Sequence, residues 1–135
     1  MVGAGKEINI EGVNIENCRW SLDKEIECFK SLDIGIYPLP DTEWARGKAG
    51  FKAIQYMAVG VSVVASPVGM TQEIIQDGVN GFFARTDDEW VERLSRLIED
   101  KELRKGLGIA GGRTVEERFS LKVNVFRFLE IIKGE

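Results

Sequence analysis

The run "VSVVAS" at residues 61–66 constrains the fold of this 135-residue chain more than any other segment. It is β-branched, almost wholly apolar and does not alternate, which is typical of a strand covered on both faces in a parallel sheet. Directly before it, residues 49–59 have the mostly apolar pattern of a buried helix, and Gly60 predicts the end of that helix. A helix that leads into such a strand favours an α/β domain.

The segments on either side continue the alternation of strands and helices. In chain order, they predict a half-buried strand at 13–18, a helix at 22–31 capped by Ser21, a buried strand at 33–40, a loop at 41–47, a short helix capped by Thr71 and stopped by Gly78, and a short strand at 80–85. Residues after 86 are helical in pattern. They predict a first helix whose start is favoured by Asp87 and Asp88. A second helix is predicted over 101–119, weakened or bent near Gly111 and Gly112, and a last amphipathic helix around Phe128.

These elements predict a single domain over residues 1–135 with a mainly parallel sheet, closed by C-terminal helices. The segment "VGAG" at residues 2–5 has the pattern of a strand end without its beginning. We therefore expect the domain to be truncated at its N-terminal end.

Composition excludes several classes of function. The chain has no histidine, so it cannot form a Ser-His-Asp, Cys-His or His-metal site by itself. Cys18 and Cys28 fit neither a C-x-x-C pair nor a zinc ribbon, and are expected to be reduced thiols. The net charge of −4 argues against a nucleic-acid surface. No apolar run is long enough for a transmembrane segment, and the N-terminus lacks a signal-peptide pattern, so we expect a cytoplasmic protein.

Two glycine-containing motifs could hold phosphate. "GAGK" at residues 3–6 lacks the first glycine of a P-loop, and Glu7 follows where a Ser or Thr is needed, which favours a simple turn. "GKAGFK" at residues 47–52 opens the predicted buried helix, where free backbone N–H groups attract anions. Lys48 and Lys52 are four residues apart, and Gln55 continues the same face. This stripe predicts a diphosphate site, although a plain solvent-facing stripe would have the same pattern.

Three loops follow predicted strands and would meet at the carboxyl edge of the sheet, where α/β proteins bind ligands. They are residues 18–21, 38–50 and 66–71. Trp20, Tyr37 and Trp44 lie on or near this rim and could stack on a base or a sugar, or simply pack.

The segments in this order resemble the donor-binding, C-terminal half of group 1 glycosyltransferases with the GT-B fold. The resemblance rests on "DIGIYPLPD", "GKAGFKAIQYMAVGVSVVASPVGMTQEII" and "DGVNGFFA", and covers nearly the whole chain. It implies a Rossmann-like three-layer domain. It also implies that the enzyme transfers a hexosyl group from a nucleotide-sugar, with retention and without a bound metal. Because the nucleotide-sugar is a substrate, no cofactor is expected.

The resemblance also assigns roles to residues. The diphosphate and sugar are expected to bind to the start of the helix, at Gly47, Lys48, Ala49, Gly50, Phe51 and Lys52. The ribose is expected to bind to Gln55, and the rim of the base site is expected at Arg19 and Trp20. The family's helix motif has two glutamates, and their positions here hold Gly47 and Gln55. A catalytically impaired nucleotide-binding module, or a non-enzymatic assembly domain, therefore stays open as an alternative.

The resemblance further implies partners outside this chain. The acceptor domain would precede it, the catalytic residues would lie partly there, and the separated fragment would be inactive and could self-associate through exposed apolar surface. The full-length protein could also associate peripherally with a membrane. The base, the sugar and the acceptor are not identified by the sequence.

Overall fold

The computed structural model describes residues 7–134. The turn predicted for residues 3–6 lies outside this part of the chain, as does the strand end predicted for residues 2–5. No helix among the described residues is long and apolar enough to cross a bilayer.

Three parallel strands form the sheet in the described part of the chain. They are β1 (Ile34–Tyr37), β2 (Ser62–Ala65) and β3 (Phe82–Phe83), in the spatial order β1-β2-β3. All four residues of β2 are buried. Val63 packs on one face with Met57, whereas Val64 packs on the other face with Leu97. The continuous apolar run thus forms a strand covered on both faces, as predicted, and it lies at the centre of the sheet.

Helices cover both faces of the sheet. In chain order they are α1 (Glu25–Lys30), α2 (Glu43–Arg46), α3 (Phe51–Ala58), α4 (Thr71–Ile74), α5 (Asp87–Glu99), α6 (Lys101–Arg118) and α7 (Leu121–Lys133), and a 3-10 turn at Leu22–Lys24 leads into α1. α3 lies on the Val63 face and α5 on the Val64 face. The domain is therefore a three-layer, Rossmann-like α/β fold closed by C-terminal helices, which confirms the predicted fold class.

α6 runs unbroken past Gly111 and Gly112, so these glycines do not interrupt the helix. Its glycines instead allow close approach to the rest of the domain. A side chain at position 108 would collide with the backbone of Gly60, and one at position 111 would press on Met57. α6 therefore packs directly against the turn that leads from α3 into β2.

Two local predictions are wrong. Residues 13–18 form no strand beyond a single bridge at Cys18, because most of the segment is exposed and its alternating side chains have no buried face to join. The predicted loop at 41–47 contains α2, whose N-cap Thr42 accepts a hydrogen bond from the Ala45 N–H at 3.2 Å.

Two predicted caps also fail. Ser21 lies at the N-cap position of the 3-10 turn with extended backbone angles, but its side chain makes no capping bond to the described residues. Thr71 lies inside α4 rather than before it, and Met70 is the N-cap. The Thr71 hydroxyl instead accepts from the Val68 N–H at 3.0 Å and donates to the Ser66 carbonyl at 2.7 Å, so it fixes the preceding loop.

Candidate functional site

Two of the three predicted rim segments are bonded together at the carboxyl edge of the sheet. The Leu39 N–H, which follows β1, donates to the buried Ser66 hydroxyl, which follows β2, at 2.9 Å. Gly69 has φ +57°, and a side chain there would collide with the Arg46 carbonyl at the end of α2. The loops at 38–50 and 66–71 therefore form one continuous wall beside the start of α3.

A bidentate ion pair braces the outer part of this wall. Arg46 donates to the two carboxylate oxygens of Asp41 at 2.7 and 3.1 Å. The guanidinium lowers the pKa of the Asp41 carboxyl, and the carboxylate raises the pKa of Arg46. Both side chains are exposed, so the pair shapes the loop more than it stabilises the domain.

Gly50 sets the direction in which α3 leaves this wall. It is the N-cap of α3 and has φ +68°, and an added Cβ would lie 2.5 Å from Ile74 Cδ1. A left-handed conformation with no room for a side chain selects glycine on structural grounds alone. The helix consequently begins at Phe51, two residues later than the predicted start at Ala49.

The later start separates the two predicted phosphate-binding lysines. Lys48 lies in the turn before α3, and its Nζ is 4.1 Å from the centre of the Trp44 ring. Lys52 lies on α3, and its Nζ is 4.9 Å from the centre of the Phe29 ring and 3.9 Å from Glu25 Oε1. Both cations therefore border the start of α3, but they do not share one helix face. Neither position tests their binding of diphosphate, which stays a prediction.

Gln55 lies one turn further along α3 and is half-buried. Its Oε1 is fully buried and has no hydrogen-bond partner within the described part of the chain. Buried acceptors of this kind are uncommon, because an unmade hydrogen bond costs the desolvation of the atom. The Gln55 side chain also interacts with the Glu25 carboxylate and helps to lower its pKa, whereas Gln55 Oε1 is left without a partner among the described residues.

Glu25 is the residue at this site that the sequence pattern missed. Its carboxylate accepts a hydrogen bond from the Trp20 indole N–H at 3.0 Å. That bond is the main reason why the pKa of Glu25 is lowered, with smaller contributions from Gln55 and Lys52. Trp20 is itself half exposed, and its neighbour Arg19 is exposed. Glu25 thus joins the predicted base rim to the predicted ribose residue.

Gly47 differs from Gly50 in its surroundings. It ends α2 with φ −77°, a conformation open to any residue, and an added Cβ would lie at least 3.6 Å from every atom outside its chain neighbours in the described residues. Neither the backbone conformation nor a lack of space therefore explains why position 47 has no side chain.

A family model, described as glycosyl transferases group 1, matches residues 1–100 of the chain. The chain belongs to the group 1 glycosyltransferases. Among curated relatives, it is 29% identical over 113 residues to the uncharacterized glycosyltransferase MJ1069 of Methanocaldococcus jannaschii, and this match spans 82% of the chain but 28% of that protein. It is 37% identical over 73 residues to MJ1178 of the same organism, spanning 53% of the chain and 20% of the relative.

Solved structures share the fold of this glycosyltransferase domain. The C-terminal domain of a group 1 glycosyltransferase, LpcC, from Francisella tularensis superposes with a TM-score of 0.62 at 23% identity, over 78% of the chain and 54% of that domain. A glycosyltransferase from Rickettsia africae gives a TM-score of 0.72 at 22% identity, over 88% of the chain and 31% of that protein. Anabaena HepE, solved with UDP-glucose, gives 0.70 at 19% identity, over 89% and 32%. The fold is thus that of a GT-B C-terminal domain.

Proposed function

We propose that this chain is the part of a glycosyltransferase that binds the nucleotide-sugar, and that the ligand lies along the carboxyl edge of the sheet beside α3. The observation that carries the proposal is the buried, unpartnered Oε1 of Gln55, one turn inside a helix whose start adjoins two lysines. A ribose hydroxyl would supply the missing donor, and the start of α3 would face the diphosphate.

A structural neighbour supports a nucleotide-sugar as the ligand class, because HepE was solved with UDP and with UDP-glucose. In our proposal the full protein transfers a hexosyl group with retention and without a bound metal, and its acceptor domain lies outside these 135 residues. The chain is then a partial domain that binds the sugar donor and transfers nothing alone.

Calorimetric titration with UDP-, GDP- and ADP-glucose tests the proposal. We expect one base class to bind, and Lys48→Ala and Lys52→Ala each to weaken binding by about tenfold, as for loss of a charge-assisted phosphate contact. Lys105→Ala is the matched control, because Lys105 is exposed on α6. Absence of binding by all three nucleotide-sugars would refute the proposal.

A catalytically impaired module is the second candidate, because Gly47 and Gln55 occupy the positions of the two family glutamates. The space around Gly47 makes this alternative directly testable. If the missing carboxylates limit catalysis, the double variant Gly47→Glu, Gln55→Glu in the full-length protein should transfer sugar faster than the wild type. If the wild type is active and the double variant transfers sugar more slowly, the hypothesis of a catalytically impaired module is wrong.

A further inference from the structure

The helix that carries Glu25 points its first turn toward the candidate site. α1 ends at Lys30 and leads within a few residues into the start of β1. It therefore runs antiparallel to the strands, and its N-terminal residue Glu25 lies toward their carboxyl edge. α3 precedes β2 in the same way, which places Gln55 near the same edge. The two residues meet here although they are distant in sequence.

Aromatic packing fixes the distance between the two helices. Phe29 is buried on α1, and its ring meets the Tyr56 ring edge-to-face at a centroid distance of 5.4 Å. Tyr56 in turn lies over Gly35 of β1, where any side chain would collide with its ring. The Lys52 ammonium lies over the Phe29 ring and adds a further contact between α3 and α1. The position of Glu25 is therefore imposed by packed side chains rather than by a mobile loop.

The Glu25 carboxylate has unused acceptor capacity. Its side chain is 19% exposed, and it accepts a hydrogen bond from the Trp20 indole N–H, whereas Lys52 stays at ion-pair distance. The Gln55 side chain contributes to the lowered pKa of Glu25. An ionised carboxylate offers about four lone-pair sites, so room remains for further hydroxyl donors. Lys52 also offsets part of the negative charge, which lowers the repulsion that a nearby diphosphate would feel.

We propose that Glu25 supplies the carboxylate that accepts the ribose hydroxyls of the bound nucleotide, with Gln55 Oε1 as the second acceptor. The inference rests on the proposed function and deepens it. It assigns the ribose site to two helices: α1 contributes the charge, and α3 contributes an amide that both holds the carboxylate and binds the sugar. A carboxylate is well suited to this task, because it accepts from both hydroxyls of a ribose.

The test compares ribose-containing with ribose-lacking ligands, using the full chain. Affinities for UDP, GDP and ADP and for their 2′,3′-dideoxy forms are measured by calorimetry in the wild type, in Glu25→Gln and in the matched control Glu27→Gln on the same helix. We expect the wild type to prefer the ribonucleotide by about tenfold or more, the size of a hydrogen bond to a charged group. Glu25→Gln should lose most of this preference, and Glu27→Gln should keep it.

The ratio of affinities isolates the ribose contact. Glu25→Gln also releases Lys52, but this change affects both ligands of a pair equally and cancels in the ratio. Thermal melting of each variant shows whether it is folded, and affinity for the dideoxy form shows whether its diphosphate site is intact. If Glu25→Gln binds and keeps the wild-type preference, or if the wild type shows no preference, the inference is overturned and nucleotide binding stands. If the wild type binds none of these nucleotides, the proposed function falls with it.

Discussion

Glu25 carries its negative charge among groups that stabilise the ionised form. The Trp20 indole N–H is the largest of these contributions, followed by the Gln55 amide and the Lys52 ammonium. Since the folded-state pKa lies below the ordinary value of 4.5, the ionised group stabilises the fold above that value. The contribution is lost as the pH falls from 4.5 through the lower folded pKa.

We therefore predict that Trp20→Phe raises the pKa of Glu25 toward 4.5, because phenylalanine keeps an aromatic ring but has no N–H to donate. Carbon-detected NMR titration of the glutamate carboxyls measures the change directly. Trp44→Phe is the control, since Trp44 is exposed and contacts Lys48 instead. An unchanged Glu25 titration in Trp20→Phe would show that the indole bond is not formed in solution.

Gly50 has a backbone conformation that constrains the wall of the candidate site. Gly50→Ala should lower the free energy of unfolding by about 2–4 kcal/mol, from a left-handed φ plus overlap with Ile74 Cδ1. Gly60→Ala separates the two causes, because Gly60 has φ +77° but no described atom lies within 4 Å of an added Cβ. The Gly60→Ala substitution should lower the free energy of unfolding by about 1–2 kcal/mol, because only the left-handed φ is unfavourable there. Equal losses in urea unfolding would show that the Ile74 contact is relaxed without cost.

At the scale of elements, the local sequence predicts those features whose causes are local. β2 follows from a β-branched run and α3 from an apolar helix pattern that ends before Gly60; both elements form, although α3 begins two residues later than predicted. α2 was missed because its cap, Thr42, lies in a segment whose prolines and glycine favour a loop. The strand predicted at 13–18 is wrong because alternating apolar and polar residues indicate which side chains share a face, but they do not supply the neighbouring strand that a sheet requires.

The candidate site could be predicted in part for the same reason. Its rim loops and Gln55 were found because strand ends and a helix start are visible in the chain. Glu25 was missed because it is 30 positions from Gln55, and no local pattern distinguishes it from the neighbouring acidic residues Asp23 and Glu27. Only the docking of α1 through Phe29 and Tyr56 selects it.

The contact between α6 and the turn before β2 depends on a missing side chain. Gly108 is buried on α6, and a Cβ there would collide with the Gly60 carbonyl, a backbone atom that cannot rotate away. Gly108→Ala should therefore destabilise the domain by about 3 kcal/mol through overpacking. Denaturant unfolding followed by circular dichroism measures the loss.

Gly106→Ala on the same helix is the matched control for this substitution. Gly106 is exposed, and an added Cβ would have no atom of the described residues within 4 Å. Alanine is the better helix former, so this change should stabilise the protein by about 0.5–1 kcal/mol. Opposite signs for the two alanines would show that close packing, rather than helix propensity, sets the requirement at position 108. Two changes of the same sign would contradict that packing.

At the scale of the whole molecule, α7 exposes most of its apolar side chains in the described structure. Leu121, Phe126 and Ile131 are 82%, 69% and 77% exposed, and no residue of α7 is buried. Scattered apolar residues on a surface are ordinary, but a full helix of them favours association. The same chain has other exposed apolar residues, such as Val91 and Ile98 on α5, which sit among charged neighbours.

We predict that the 135-residue chain self-associates through α7, so that its sedimentation coefficient rises with concentration. The double variant Phe126→Glu, Ile131→Glu should remain monomeric, because each buried carboxylate in an apolar interface costs several kcal/mol. Its stability as a monomer should change little, since both side chains are exposed. The matched variant Val91→Glu, Ile98→Glu adds the same charge on α5 and should still associate. If both double variants stay monomeric, net charge rather than the α7 surface controls association.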